Sequence, residues 1–261
     1  MRRCALTPSL EDALPLSEEI ERYLCVVLRL DEGDSFIGFD GQGGERVYRL
    51  SRVSGESAVS VAQSSWWAVA EGAVTRGRQS APVGVCYAVP KGDKIDLVSR
   101  QLTELGIDTL DLWSAERSVS VWRGDKAERK CSRLNRVIAE AARQSGRADL
   151  LKLSAPRPLK ALITRHIDVP LRLFLDPHVE LGWPSMEALS NTLNPSLASA
   201  SSSHLKCVLI VGPEGGISPA EIETLVSAGW IGVALSSPVL RTETAAVVAS
   251  AIALDRLGYL S

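Results

Sequence analysis

The sequence predicts an α/β chain, a parallel sheet with flanking helices, preceded by a small β-rich domain suited to a barrel or sandwich. Three observations carry that expectation. From about residue 80 onward, short apolar runs alternate with segments of helical spacing. The first 75 residues instead hold short strand-like runs separated by turn signals. A length of 261 residues leaves room for two domains and a substantial core. With 45% hydrophobic and 23% charged residues, wholesale disorder is excluded.

Each element follows from local chemistry. A helix is expected from Ser17, with Glu18, Glu19 and Glu21 in its first turns, where the helix dipole favours acidic groups. Residues 26–28, 35–39 and 47–50 read as strands, and the clearest turn is Asp40-Gly41-Gln42-Gly43-Gly44. Residues 83–89 form a near-continuous apolar run, as a strand covered on both faces requires. After the turn Lys91-Gly92-Asp93, Ile95, Val98, Leu102 and Leu105 recur at helical spacing until Gly106 ends the helix. Residues 107–113 read as a strand, and residues 126–144 as a basic helix with Leu134, Val137, Ile138 and Ala141 on its apolar stripe. A third strand is expected at 171–175, and the Ser-rich stretch 190–205 reads as a flexible surface loop. Residues 207–211 make a buried strand. Ser218-Pro219-Ala220-Glu221 then combines an N-cap, a first-position proline and a capping-box glutamate. Ile222, Leu225 and Val226 are expected to face the core of that helix. A strand at 231–235 and an Ala-rich helix reaching Leu257 complete the chain.

Charge is segregated. Residues 1–75 carry a net −5, residues 76–165 a net +8 and residues 166–261 a net −5. The basic middle is either an electrostatic footprint for a polyanion or a set of solvated helix faces. Five scattered cysteines, never spaced C-x-x-C, read as reduced thiols of a soluble cytoplasmic protein. His166, His178 and His204 show no ligand spacing with them, which argues against a zinc site. Glu11 and Asp12 interrupt any signal-peptide core, and the longest apolar run, 245–254, is about half a membrane span.

Three constellations could carry chemistry. Gly212-Pro213-Glu214-Gly215-Gly216 sits just past a strand's carboxyl end, where parallel sheets bind ligands. Glu214 would repel phosphate, so the loop suits a neutral or cationic ligand, or else it is an ordinary strand-to-helix turn. Leu240-Arg241-Thr242-Glu243-Thr244-Ala245 opens an apolar helix whose free amides favour an acceptor or anion; a cap with a surface ion pair is the alternative. Gln144-Ser145-Gly146-Arg147, with Arg129, Lys130, Arg133, Arg136 and Arg143, could track a phosphate backbone. No Ser-His-Asp set is legible. Trp66-Trp67 reads as core or domain interface.

These segments, with Val27-Leu28-Arg29, Lys91-Gly92-Asp93, Thr103-Glu104-Leu105-Gly106, Glu116-Arg117-Ser118 and Glu140-Ala141-Ala142, resemble the small-subunit ribosomal RNA methyltransferase E family. That family, of the SPOUT class, uses S-adenosylmethionine to methylate N3 of a uridine in 16S ribosomal RNA. The resemblance implies a PUA-like β-barrel over 1–75, a trefoil-knotted α/β domain over 76–261, a homodimer and no metal. It implies a cofactor pocket from Leu175, Gly212, Pro213, Glu214, Gly215, Gly216, Leu235, Val239, Leu240, Thr244 and Ala245. Arg29, Arg117, Arg133 and Arg147 are the expected RNA contacts. Glu243 is the expected proton acceptor, and Arg241 would stabilise negative charge on the uracil, unless the two only pair with each other. Another RNA substrate such as transfer RNA, or a non-catalytic ribosome-associated role, are the alternatives. The chain departs from the family pattern at Tyr23, Gln101, Leu134, Ser236 and Pro238.

Overall fold

Apolar side chains recurring along short strands organise the first of two units, which comprises Met1–Gln79 with Ala142–Leu150; the second comprises Ser80–Ala141 with Leu151–Ser261. The computed structural model describes residues 1–6, 9–52, 66–178, 204–235 and 239–260. Most of the 190–205 stretch and the 236–238 loop, with the departures at Ser236 and Pro238, lie outside the described residues.

The first unit holds strands β1 (Arg3–Ala5), β2 (Ala13–Pro15), β3 (Ser35–Phe39), β4 (Gly44–Arg52), β5 (Trp66–Ala70) and β6 (Thr75–Arg76). They form one mixed sheet in the order β1-β3-β4-β5-β2, with β6 paired to β4. Its core gathers Leu6, Leu16, Leu24, Phe36, Tyr48, Leu50, Trp66 and Ala68. The β3–β4 turn is fixed by Asp40, whose Oδ1 accepts from the N–H groups of Gln42 (2.7 Å) and Gly44 (2.9 Å). Gly41 (φ 76°) and Gly43 (φ 104°) supply the left-handed backbone that this turn demands.

Helix α1 (Glu18–Glu21) starts where expected, with the Ser17 hydroxyl accepting from the Ile20 N–H. It then continues as a π-helical turn over Arg22–Val27, in which the N–H of Leu28 reaches the carbonyl of Tyr23 at 2.9 Å. The strand expected at 26–28 is therefore absent. Val26 and Val27 lie exposed on the helical turn (66% and 62%), so β-branched residues there reflect no sheet pairing.

The second unit contains β7 (Ala81–Ala88), α2 (Lys94–Leu105), β8 (Ile107–Ser114), α3 (Gly124–Ser145, its last turn in the first unit), β9 (Lys152–Pro158), α4 (Leu159–Arg165), β10 (Leu171–Leu175), β11 (Cys207–Val211), α5 (Pro219–Ser227), β12 (Ile231–Val233) and α6 (Thr242–Arg256). The sheet is parallel throughout, in the order β12-β10-β11-β7-β8-β9. β11 is buried at all five positions, as a central parallel strand must be. Gly106 (φ 88°) ends α2 in the left-handed conformation. The capping box of α5 forms with both of its hydrogen bonds, Glu221 N–H to Ser218 Oγ at 3.3 Å and Ser218 N–H to Glu221 Oε2 at 2.9 Å. Leu225 is fully buried, but Val226 lies on the outer face of α5. β9 has no sequence expectation behind it: it is an edge strand with Pro156 and Pro158, where missing N–H donors are tolerated. Among the described residues no helix is long and apolar enough to cross a membrane.

Candidate functional site

The parallel sheet brings three strand ends together. β11 delivers Val211, whose carbonyl accepts from the buried indole of Trp113 at 3.1 Å, and the chain turns at once through residues 212–216. A Cβ on Gly212 would lie 2.7 Å from Ile217 Cγ1, so only glycine fits that corner. Gly216 adopts φ 74°, and its N–H closes the turn on the Pro213 carbonyl at 2.9 Å. Beside it, β10 ends at Leu175. Asp176 then donates its N–H to Val233 (3.1 Å), and its carboxylate accepts from the His178 N–H (2.9 Å). The third wall runs from β12 through Leu235, and from Val239 and Leu240 into α6.

These walls enclose a cavity of about 780 Å³. Of the residues expected to form the pocket, Leu175, Gly212, Pro213, Glu214, Gly215, Gly216, Leu235, Val239, Leu240 and Ala245 line it; Thr244 does not, and lies exposed on α6. Arg241 lines it as the N-cap residue of α6. Arg117, expected at RNA, also lines it: its Nη1 donates to the Gly215 carbonyl at 3.2 Å. Beside it, the Glu116 N–H donates to Glu221 Oε1 at 2.8 Å, so this motif braces the glycine loop.

Glu243 is not among the lining residues. Its carboxylate meets Lys94, Nζ to Oε2 at 3.4 Å, and accepts from the Thr242 hydroxyl at 3.3 Å. The alternative of an Arg241–Glu243 pair is replaced by a Lys94–Glu243 pair. Lys94 also donates to Glu214 Oε1 at 3.1 Å, joining the glycine loop to α6. Thr242 shares a hydrogen bond with the Tyr87 hydroxyl at 2.9 Å. Burial pushes the Tyr87 hydroxyl up to about 12, so it stays protonated. Burial would raise the Glu243 carboxyl, but its own N–H, the Lys94 ammonium and the Thr242 hydroxyl outweigh burial and hold it below the usual carboxylate range. Among the titratable lining residues, Lys94, Asp176 and His178 are those that sequence reasoning missed. The one available signal was that Lys94 directly follows Lys91-Gly92-Asp93.

The remaining expected RNA contacts fall elsewhere. Arg133 lies on α3, ion-paired with Asp93 (3.2 Å) and with Asp96. Arg29 follows the π-helical turn at φ 55°, a left-handed backbone that side-chain-bearing residues seldom adopt. Arg147 is corrected: it is 1% exposed and pairs with Asp149 at 3.0 Å, so it is a buried ionic contact of the first unit and no surface contact.

A second cluster lies away from the cavity's lining. Cys86, Asp111 and His166 converge with their ligand atoms within 4.8 Å, all buried, although sequence spacing connected no histidine with a cysteine. Parallel neighbours β7 and β8 bring Cys86 opposite Asp111, and the end of α4 adds His166. Asp111 is engaged on both oxygens: it accepts from His166 Nε2 (2.9 Å) and from Ser154, and Arg165 lies 3.3 Å away. His166, Ser154 and Arg165 thereby tie this carboxylate into an ionic network of the core.

Comparison with known proteins places the cavity in context. A family model described as an RNA methyltransferase domain matches residues 78–254. The ribosomal RNA small subunit methyltransferase E of Mycobacterium tuberculosis is 34% identical over 184 residues, 69% of this chain; the chain spans 64% of that relative's length. The protein of that name from Synechocystis is 30% identical over 242 residues, covering 93% of this chain and 73% of the relative. A Legionella pneumophila methyltransferase, solved with bound cofactor SAM, superimposes with a TM-score of 0.78 at 25% identity, over 97% of this chain and 96% of that one.

Proposed function

The chain belongs to the ribosomal RNA small subunit methyltransferase E family, and from that premise we propose that it is an S-adenosylmethionine-dependent enzyme that methylates N3 of a uridine in 16S ribosomal RNA. The observation that carries this reading is the cavity at the carboxyl ends of β10, β11 and β12. Its residues suit the cofactor. Leu175, Val211, Leu235, Val239 and Leu240 offer an apolar wall for an adenine, and the close turn at Gly212 leaves main-chain groups to meet it. Asp176 and Glu214 offer carboxylates to hydroxyl and ammonium groups. The same reading includes PUA-like closure of the first sheet, a trefoil knot in the second unit, a homodimer and action in the cytoplasm.

The cofactor supplies an activated methyl group on a sulfonium, so the protein's work is alignment and charge management. Neutral uracil must lose its N3 proton, leaving negative charge on the flanking oxygens. Arg241, on the cavity wall, is placed to stabilise that charge. Glu243 is ionised at neutral pH and able to accept a proton through water, but its lowered pKa limits its strength as a base. RNA phosphates are met by the exposed face of α3, where Arg129, Arg133 and Arg136 recur at helical spacing, and by Arg29.

The deciding experiment incubates the protein with small subunits or their RNA and isotopically labelled S-adenosylmethionine, then maps labelled nucleosides by mass spectrometry. The expected product is 3-methyluridine in 16S RNA. Label in transfer RNA would move the substrate, and no label despite cofactor binding would leave only a binding protein. For the pocket itself, Gly212→Val is expected to weaken cofactor binding more than about tenfold by calorimetry. The added carbon cannot clear Ile217, and the loop must move. Unchanged affinity would place the site elsewhere.

A further inference from the structure

The ionic groups around the cavity form a balanced set. Lys94, Arg117 and Arg241 face Asp176, Glu214 and, one step behind the wall, Glu243. Lys94 is the cation that touches two of the carboxylates, at 3.1 Å from Glu214 and 3.4 Å from Glu243. These carboxylates come from different segments, the glycine loop and the first turn of α6. We propose that Lys94 is a specificity-determining residue that balances this charge, keeping the cavity from favouring the cationic methyl donor over its uncharged product. The inference rests on the reading of the cavity as the S-adenosylmethionine site.

The physical basis is the charge of the two ligands. The donor is a sulfonium cation, and its demethylated form is a neutral thioether. A cavity with an uncompensated carboxylate would hold the cation too well. Binding strength gained only before the reaction raises the barrier from the bound state. Without Lys94, the groups named above would carry an excess of one negative charge. Hydrogen bonding to Glu214 raises the Lys94 ammonium above its usual range, so the compensation persists through neutral pH. Its side chain is 36% exposed, so the effect is moderated by solvent and sensitive to salt.

The test is the ratio of two affinities, measured by calorimetry on the full chain with S-adenosylmethionine and with S-adenosylhomocysteine. Lys94→Met is expected to shift the ratio toward the sulfonium by roughly fivefold. The shift should shrink in about 0.5 M salt. Lys94→Arg should keep the wild-type ratio, and Glu214→Gln should move it toward the thioether. If Lys94→Met weakens both ligands by the same factor, or if Glu214→Gln leaves the ratio unchanged, Lys94 is only a brace between loops and the inference is overturned. A wild-type protein that binds neither ligand overturns the underlying reading, and the inference with it. A Lys94→Met chain that does not fold leaves the decision to Glu214→Gln, whose carboxamide keeps the shape of the site.

Discussion

Asp111→Ala is expected to destabilise the second unit by about 1–3 kcal/mol, the cost of leaving a buried polar group without its hydrogen-bond partner. Asp111 is 1% exposed on β8, and three groups converge on it: His166, Ser154 and Arg165. Arg165 is partly exposed and can turn to solvent when the carboxylate is lost, but His166 is 3% exposed and cannot. Its Nε2 would lose the carboxylate it meets at 2.9 Å, inside a buried cluster shared with the Cys86 thiol. The same group gives a pH signature. Burial would raise the Asp111 carboxyl, but the hydrogen bonds from His166 and Ser154, with the charges of His166 and Arg165, outweigh burial and hold it below its ordinary 3.8. A lowered folded-state pKa means that the contribution is complete above the unfolded value. It fades as pH falls below about 3.8 toward the lowered value. Urea unfolding of the wild type and of Asp111→Asn, followed from pH 7 down to about pH 3, checks both points. The wild type should lose its advantage over Asp111→Asn only at the acid end. Parallel curves would mean that the carboxylate's charge contributes nothing to folding.

The sequence made legible what local rules determine. β11 is apolar at every position because a central parallel strand has two covered faces, and Ser218-Pro219-Ala220-Glu221 marks a helix start because each residue satisfies a separate end requirement. The glycine loop is legible as a candidate site because a strand's carboxyl end and close backbone approach both have sequence signatures. What stayed hidden depends on tertiary pairing. Lys94 and Glu243 are 149 positions apart, and no spacing rule joins them. Asp111 and His166 meet only through the order of the sheet and the end of α4. Arg147 looked like one more charge in a basic stretch, yet Asp149, two residues on, let it be buried. The exposed Val26 and Val27 mislead in the other direction: β-branched residues suggest a strand there, whereas the helical segment begun at Ser17 has not ended.

Arg241→Met is expected to slow single-turnover methyl transfer by about 10²–10³-fold, the range for losing a preorganised donor to developing negative charge. Cofactor affinity should change far less, because on the proposed reading the charge that Arg241 would stabilise appears on the uracil only as N3 loses its proton. Arg241 suits this role by position: it is the N-cap residue of α6, on the cavity wall, while the neighbouring Glu243 carboxylate is engaged by Lys94. Glu243→Gln should cost less, on the order of tenfold, because a carboxylate held below its usual range is a weak base to begin with. The two variants therefore separate two accounts of the chemistry. If stabilising the uracil anion is the larger demand, Arg241→Met is the slower enzyme, and raising the pH, which helps to form that anion, should recover part of its rate. If proton removal is the larger demand, Glu243→Gln is the slower one and Arg241→Met remains close to wild type. Measuring both with cofactor and RNA saturating excludes binding as the cause, and near-normal rates in both would confine the α6 entrance to a structural part.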